Sequence, residues 1–284
     1  MRQFRRRRCA CPWGPGYGIE TRPWGALRRR GGKGFDVDIE ISVAVPVKNE
    51  ADNIEPLVRE ILAALRGHAG FEIVYVDDGS SDGTAAALKA LRQSVPELRM
   101  IQHDRSCGQS QAIRTAVYAA RGRLIVTIDG DGQNDPADIP ALIETFRREA
   151  GNGNLGLVAG QRRKRQDNLS KRLASRFANA VRRRALKDDT QDTGCGLKLI
   201  PREVFLRLPY FDHMHRFLPA LVKREQLRIA FVDVNHRPRQ HGRSNYGNLD
   251  RALVSIRDLM GVMWLMRRTT LPPEKRLLLV ESAG

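Results

Sequence analysis

From residue 39 onward, two hydrophobic rhythms alternate along the chain. Short runs rich in apolar and β-branched residues, "IEISVAVPV" at 39–47, "FEIVYV" at 71–76, "LRMIQH" at 98–103 and "RLIVTI" at 123–128, predict buried β-strands. Between them lie longer segments with helical spacing. In "ADNIEPLVREILAALRG", at 51–67, the apolar residues fall at 54, 57, 58, 61, 62 and 65, one face of a helix. "SDGTAAALKALRQ" at 81–93, "GQSQAIRTAVYAARG" at 108–122 and "DPADIPALIETFRRE" at 135–149 predict three more. Ser81 or Asp82 caps the second of the four, and Asp135, ahead of Pro136, caps the fourth.

This β-α-β-α-β-α-β-α order predicts an α/β fold, a Rossmann-like, mostly parallel sheet with helices over both faces. In open sheets of this kind ligands bind beyond the carboxyl ends of the strands. Asp77, Asp78, Asp129 and Asp131 fall at two such ends. A site is expected there.

The rest of the chain reads differently. Residues 1–38 are rich in Arg, Gly and Pro without periodicity, and predict a disordered basic tail. The chain carries net charge +17, concentrated in that tail and in residues 161–187, on an otherwise near-neutral body. Two basic blocks suggest two contacts with anionic partners. In the second, Leu169, Leu173, Phe177 and Val181 form a helical stripe among Arg and Lys, which fits either a solvated face packed on the core or a helix facing anionic lipid. Residues 248–268 predict an amphipathic helix with Trp264 at headgroup level if it lies on a membrane, or docked on the α/β domain or a second subunit if it does not. The domain reading is therefore a tail at 1–38, an α/β domain at 39–247, and an amphipathic helix and tail at 248–284.

No apolar run approaches the roughly 20 residues that cross a bilayer, and no signal peptide is visible, so the expected place is the cytoplasm, peripherally on the cytoplasmic face of a membrane. Cys9, Cys11, Cys107 and Cys195 make neither a disulfide framework nor a zinc spacing. Charge alone would also suit a nucleic-acid-binding protein, but aromatic residues are only 6% and no recognition motif appears, so nucleic acid is not the expected partner.

The carboxylates carry the chemistry. Asp129 and Asp131, one residue apart after a strand, can bring oxygens to one hard cation, and Mg²⁺ or Mn²⁺ uses one or two carboxylates together with substrate phosphates. Gln133 adds a neutral oxygen. In "VDDGSSDGT", Asp78 can accept hydrogen bonds from a base or ribose. Neither a dinucleotide-binding glycine fingerprint nor a P-loop is present.

Six stretches, "VAVPVKNEADNI", "VYVDDGSSDGT", "IDGDGQNDP", "VAGQR", "DTGCGLKLIPREV" and "RPRQHGRSNYG", occur in the order seen in family 2 glycosyltransferases of the GT-A fold. The chain resembles above all the branch of dolichyl- and undecaprenyl-phosphate sugar transferases. The resemblance implies that Pro46, Glu50, Val76, Asp78 and Asp129 hold the nucleotide of a sugar donor. It implies that Asp129, Asp131 and Gln133 bind the metal, and that Arg162, Arg239 and Ser244 contact donor or acceptor phosphates. Asp131 and Arg239 are then catalytic. Two departures stand out: Lys48 replaces a Tyr common in relatives, and Asn245 a Lys or Arg, which leaves Arg243 or Arg237 as substitutes. A polyprenyl phosphate acceptor is already ionised and needs no general base, whereas a glycan or glycolipid hydroxyl does, and Asp192 is then the candidate. The six histidines form no cluster in sequence.

Overall fold

The structure, a computed structural model, describes residues 39–68, 70–151, 153–162, 186, 190, 192, 194–238 and 248–268, with side chains of the final segment from 256 onward. The elements in chain order are β1 Ile41–Val47, α1 Ala51–Ala64, β2 Phe71–Asp77, α2 Thr84–Leu91, β3 Leu98–Gln102, α3 Gln109–Ala119 and β4 Leu124–Thr127. A single 3₁₀ turn, Pro136–Asp138, leads into α4 Ile139–Ala150. Then follow β5 Leu155–Arg162, β6 Lys198–Pro201, α5 Arg202–Arg207, a second 3₁₀ turn at Met214–Arg216, α6 Leu218–Arg224, β7 Arg228–Val234 and α7 Asn248–Arg267.

The expected strands and helices are present, and their altered ends have local causes. Asp82 turns its Oδ1 onto the Thr84 N–H at 3.0 Å, so α2 starts at Thr84 rather than Ser81. Asp135 accepts from the Ala137 N–H at 3.0 Å and caps the 3₁₀ turn that opens the fourth helix. α3 stops at Ala119 because the next residues are claimed elsewhere. The Arg121 N–H donates to Glu72 Oε1 at 2.6 Å and the Gly122 N–H to Ser42 Oγ at 2.9 Å. Ser42 itself donates to Glu72 at 2.7 Å, and Arg99 reaches the other Glu72 oxygen at 2.7 Å. Burial would raise the pKa of Glu72, but these donors outweigh it and hold the carboxyl below its ordinary value.

The seven strands run in the order β3-β2-β1-β4-β6-β5-β7. β1, β2, β3 and β4 pair in parallel, as do β5 and β7, while β6 lies antiparallel between β4 and β5. Pro46 sits in the central strand without breaking it. The β1–β4 ladder ends at Ala44 and Thr127, and the next polar group on the other side, Val47 C=O, takes the Asp78 N–H at 2.9 Å. The missing proline N–H falls where a ladder has already stopped.

Strand periodicity divides the core between the two faces. Val43, Val45, Ile73 and Tyr75 meet Ile54, Leu57 and Ile61 of α1, Leu88 of α2 and Leu142 of α4. Ala44, Val74, Val76 and Ile125 meet Ala112, Ile113 and Val117 of α3, with Phe205 and Leu221 alongside. Each large aliphatic side chain so buried contributes roughly 1.5–3 kcal/mol. α7 packs on this second face through buried Val262, with Leu259, Met263 and Met266 partly covered, and His213 Nδ1 lies 3.0 Å from Asp258 Oδ2. Its other face leaves Ile256, Met260 and Trp264 exposed. Among the described residues no helix is long and apolar enough to cross a membrane, and Cys107 and Cys195 are free of disulfides. The basic tail, the stripe from Leu169 to Val181, Cys9, Cys11, Arg239, Arg243, Ser244 and Asn245 lie outside the described residues.

Candidate active site

One edge of the sheet gathers the polar side chains. β1, β2, β3, β4 and β5 all point their carboxyl ends at it, and antiparallel β6 presents its amino end, so the loop from Asp192 to Lys198 arrives on the same edge. That reversed strand brings Asp192 and residues 194–198 to the same edge as residues 129–134.

Asp129 is the hub. Its Oδ1 accepts from Gln109 Nε2 at 2.7 Å and its Oδ2 from Asn134 Nδ2 at 3.4 Å. Desolvation by the protein around it raises its pKa above the ordinary carboxylate value, and the charge of Asp131 raises it further. Asp131 Oδ1 accepts the Gln133 N–H at 3.1 Å, which closes the turn. The described hydrogen bonds of Gln133 are main-chain ones, since its carbonyl takes the Arg237 N–H at 2.9 Å. Gly196 passes so close that a Cβ there would fall within 2.6 Å of the Asp129 carboxylate. Thr127 Oγ1 pins this loop by donating to Gly196 C=O at 2.7 Å.

Beneath Asp129 lies a buried cation. Lys198 is 4% exposed and donates to the Cys195 carbonyl. Burial lowers its pKa, while Asp129 and Asp192 act to keep it charged. Arg162, at the end of β5, grips Asp192 with two parallel bonds, Nε to Oδ2 at 2.5 Å and an NH2 nitrogen to Oδ1 at 2.6 Å. Bidentate pairs of this kind fix the guanidinium plane as well as its charge. The Asp192 bond raises the Arg162 pKa further.

Asp78 is held from four sides. Its Oδ1 takes His103 Nδ1 and the Cys107 N–H, both at 2.8 Å. Its Oδ2 takes Ser106 Oγ at 2.7 Å and the Gly108 N–H at 2.8 Å. Burial would raise the Asp78 pKa, but these four donors outweigh it and hold the carboxyl at about 2. An ionised carboxylate only accepts, so His103 Nδ1 carries the proton. The Asp78, His103 and Cys107 ligand atoms lie within 4.8 Å of one another, a spacing that could hold a cation. With each Asp78 oxygen already bonded twice, the cluster reads as a clamp on residues 103–108. Gly79, at φ +67°, lets that loop close down, because a Cβ there would fall 2.6 Å from the Arg105 carbonyl carbon. The clamp borders an open cavity of about 470 Å³ lined by Gly79, Ser80, Gln102, His103 and Asp104.

The clamp's contribution to stability has a definite sign. A carboxyl whose pKa drops from 3.8 to about 2 on folding stabilises the native state above pH 3.8, by roughly 2 kcal/mol, and that contribution is lost as pH falls toward 2. Asp78→Asn is expected to cost roughly 2–3 kcal/mol at neutral pH, since an amide cannot serve four donors. In urea unfolding, the gap between variant and parent should shrink as pH is lowered from about 5 to 3. A gap independent of pH would show that Asp78 does not hold the loop through its charge.

The other residues singled out in the sequence take these places. Pro46 and Val76 face each other across β1 and β2. Glu50 accepts from Asn53 Nδ2 at 2.6 Å at the start of α1, and its N–H donates to Thr84 Oγ1 at 2.9 Å, stitching the first two loops together. Arg237 bridges Glu60 and Asp135, at 2.8 and 2.7 Å. Sequence reading missed Gln109, Asn134, Gly196 and Lys198. Gln109 had one available signal, its place at the start of the helix that follows the third strand's carboxyl end.

Both the sequence and the fold are similar to known proteins. The family described as Glycosyl transferase family 2 matches residues 42–208. A dodecaprenyl-phosphate galacturonate synthase from Rhizobium johnstonii is 36% identical over 239 residues, 82% of this chain and 69% of its own. An undecaprenyl-phosphate 4-deoxy-4-formamido-L-arabinose transferase from Edwardsiella ictaluri is 34% identical over 210 residues, 73% of this chain and 63% of its own. The chain thus spans about two thirds of the length of these relatives. In fold, it is similar to glucosyl-3-phosphoglycerate synthase from Mycobacterium tuberculosis, in complex with Mn²⁺, UDP-glucose and phosphoglyceric acid. The TM-score is 0.60 at 20% identity, over 83% of this chain and 81% of that one. With a GT-A sheet, an aspartate pair on its carboxyl edge and a family match over most of the described body, the chain belongs to glycosyltransferase family 2.

Proposed function

We propose that this enzyme is an inverting, metal-dependent transferase that moves a sugar from a nucleotide diphosphate donor, GDP-mannose or a UDP-hexose, to a polyprenyl phosphate. The observation that carries the reading is the Asp129–Asp131 pair on the sheet edge, beside relatives named for lipid-phosphate acceptors. The residues suit a hard dication. Two carboxylates repel each other there, and the Asp129 oxygens face neutral carboxamides that a cation can displace. Asp129 and Asp131, with Gln133 alongside, would hold Mg²⁺ or Mn²⁺, which supplies positive charge against the diphosphate leaving group.

Arg162, held in plane by Asp192, sets a fixed positive charge on the same edge. Both Asp192 oxygens are engaged by that guanidinium, which leaves the carboxylate poorly placed to take a proton from an acceptor. An ionised lipid phosphate requires no such step, and this supports it over a hydroxyl. Arg239 and Ser244 keep the role that the resemblance implies, contact with donor or acceptor phosphates. α7 supports a peripheral membrane seat near the lipid acceptor. Ile256, Met260 and Trp264, four residues apart, are 54%, 57% and 60% exposed, with Arg257, Arg267 and Arg268 also at the surface.

The test offers a panel of nucleotide sugars with Mn²⁺ to the protein and anionic vesicles, with and without undecaprenyl phosphate, and with EDTA as control. A glycosylated lipid phosphate from one donor, lost with EDTA, is the expected product by mass spectrometry. Donor hydrolysis without lipid product would move the acceptor to a hydroxyl. Flotation of the same mixtures is expected to carry the protein with the vesicles, and protein left at the bottom would remove the membrane claim.

A further inference from the structure

Gln109 stands out once the loop around it is followed. Its main chain is held on both sides. The preceding Gly108 N–H is bonded to Asp78 at 2.8 Å, and Ser110 Oγ lies 2.7 Å from Nδ1 of His215. Ser110 is itself buried, at 4% exposure. Between these two fixed points the Gln109 side chain is exposed, and its Nε2 spans 2.7 Å to Asp129 Oδ1, 20 residues on in sequence. An exposed carboxamide on a clamped backbone can swing without disturbing the fold. The oxygen it occupies is one that the proposed cation would need.

We propose that Gln109 is a positioning residue of the donor site, which holds Asp129 Oδ1 in the ligand-free enzyme and hands its N–H to an oxygen of the nucleotide diphosphate sugar once a cation takes that carboxylate. The inference rests on the reading of Asp129 as a metal ligand. It follows from donor and acceptor inventory: a carboxylate oxygen that binds a dication gives up one lone pair and part of its negative charge, so it becomes the weaker acceptor, and a diphosphate oxygen nearby competes for the carboxamide N–H. The donor brings such acceptors to that edge, the oxygens of its diphosphate and sugar. Because the Asp78 clamp reaches Gln109 through one residue, the cavity beside Gly79 and the carboxylate pair are joined by a single rigid loop.

The experiment measures Mn²⁺ affinity of the full-length, nucleotide-free protein by calorimetry, and transfer kinetics, for the parent, Gln109→Ala and Asp129→Asn. In Gln109→Ala the competitor is gone, and Mn²⁺ should bind roughly three- to tenfold more tightly, the range one hydrogen bond to a charged group can account for once water substitutes in part. In the same variant KM for the donor should rise and kcat fall, with the melting temperature unchanged. A purely structural Gln109 would lower the melting temperature and leave Mn²⁺ affinity within twofold, and that result overturns the proposal. Asp129→Asn should lose Mn²⁺ binding. A parent that binds Mn²⁺ while Asp129→Asn binds it equally well overturns the metal reading and the inference together, whereas unchanged affinity in Gln109→Ala alone overturns only the inference.

Discussion

Asp131→Asn is expected to lower sugar transfer by about 10³-fold, the loss of about 4 kcal/mol of transition-state stabilisation, while the protein stays folded. The turn survives because the amide keeps an oxygen that can accept in it. Asp131 Oδ1 accepts the Gln133 N–H, and asparagine offers the same acceptor. What disappears is a negative charge next to Asp129. That charge raises the Asp129 pKa, second to desolvation, so its removal lets Asp129 ionise more readily and relieves repulsion in the metal-free protein. Stability should therefore hold or rise slightly even as activity collapses. A carboxyl with a raised folded pKa destabilises the native state as pH climbs from the unfolded value through the folded one, and cation binding to its ionised form reverses this. The gain in melting temperature on adding Mn²⁺ should accordingly grow with pH in the parent and be nearly absent in Asp131→Asn. Full transfer by the variant, measured at saturating donor and Mn²⁺, would remove the central claim about this site.

How much of this could be read beforehand depends on what kind of interaction each feature uses. β1 to β4 and α1 to α4 are legible because burial on both faces writes an apolar run, and one-sided burial writes a helical spacing. Asp77, Asp78, Asp129 and Asp131 are legible because acids at the ends of buried strands have few structural uses. β6 is not, since it has only four residues, Lys198–Pro201, and its antiparallel place is set by partners far away in sequence, Thr127 in β4 and Ala159 in β5 both pairing with Lys198. With β6 unread, the convergence of Asp192, Cys195, Gly196 and Lys198 on Asp129 could not be foreseen. Asp78 shows the opposite gap. Its position was evident, but a carboxylate saturated by His103, Ser106, Cys107 and Gly108 looks in sequence like one waiting for a ligand. Gln109 escaped for a related reason, since a neutral side chain opening a helix carries no compositional signal.

The Asp192–Arg162 pair offers the sharpest separation between holding the fold and doing chemistry. Asp192→Ala strips two bonds from a guanidinium that is only 12% exposed, and a third from the Gly194 N–H at 3.2 Å. Breaking one partner of a largely buried pair leaves the other charge uncompensated, at a cost of about 3–5 kcal/mol. For a body of this size that is a fall of roughly 10 °C in melting temperature. Transfer should fall by about 100-fold or more, since a misplacement near 1 Å suffices for that loss. Those two effects are confounded in the single variant and come apart in a double one. Asp192→Leu combined with Arg162→Met replaces the pair by apolar side chains and should regain most of the lost folding free energy. It removes the guanidinium from the edge where the diphosphate is proposed to lie, so transfer should stay as low as in Asp192→Ala. Recovery of transfer together with stability would make the pair a brace between β5 and the β6 loop and nothing more. Stability regained without transfer would place Arg162 among the groups that act on the substrate.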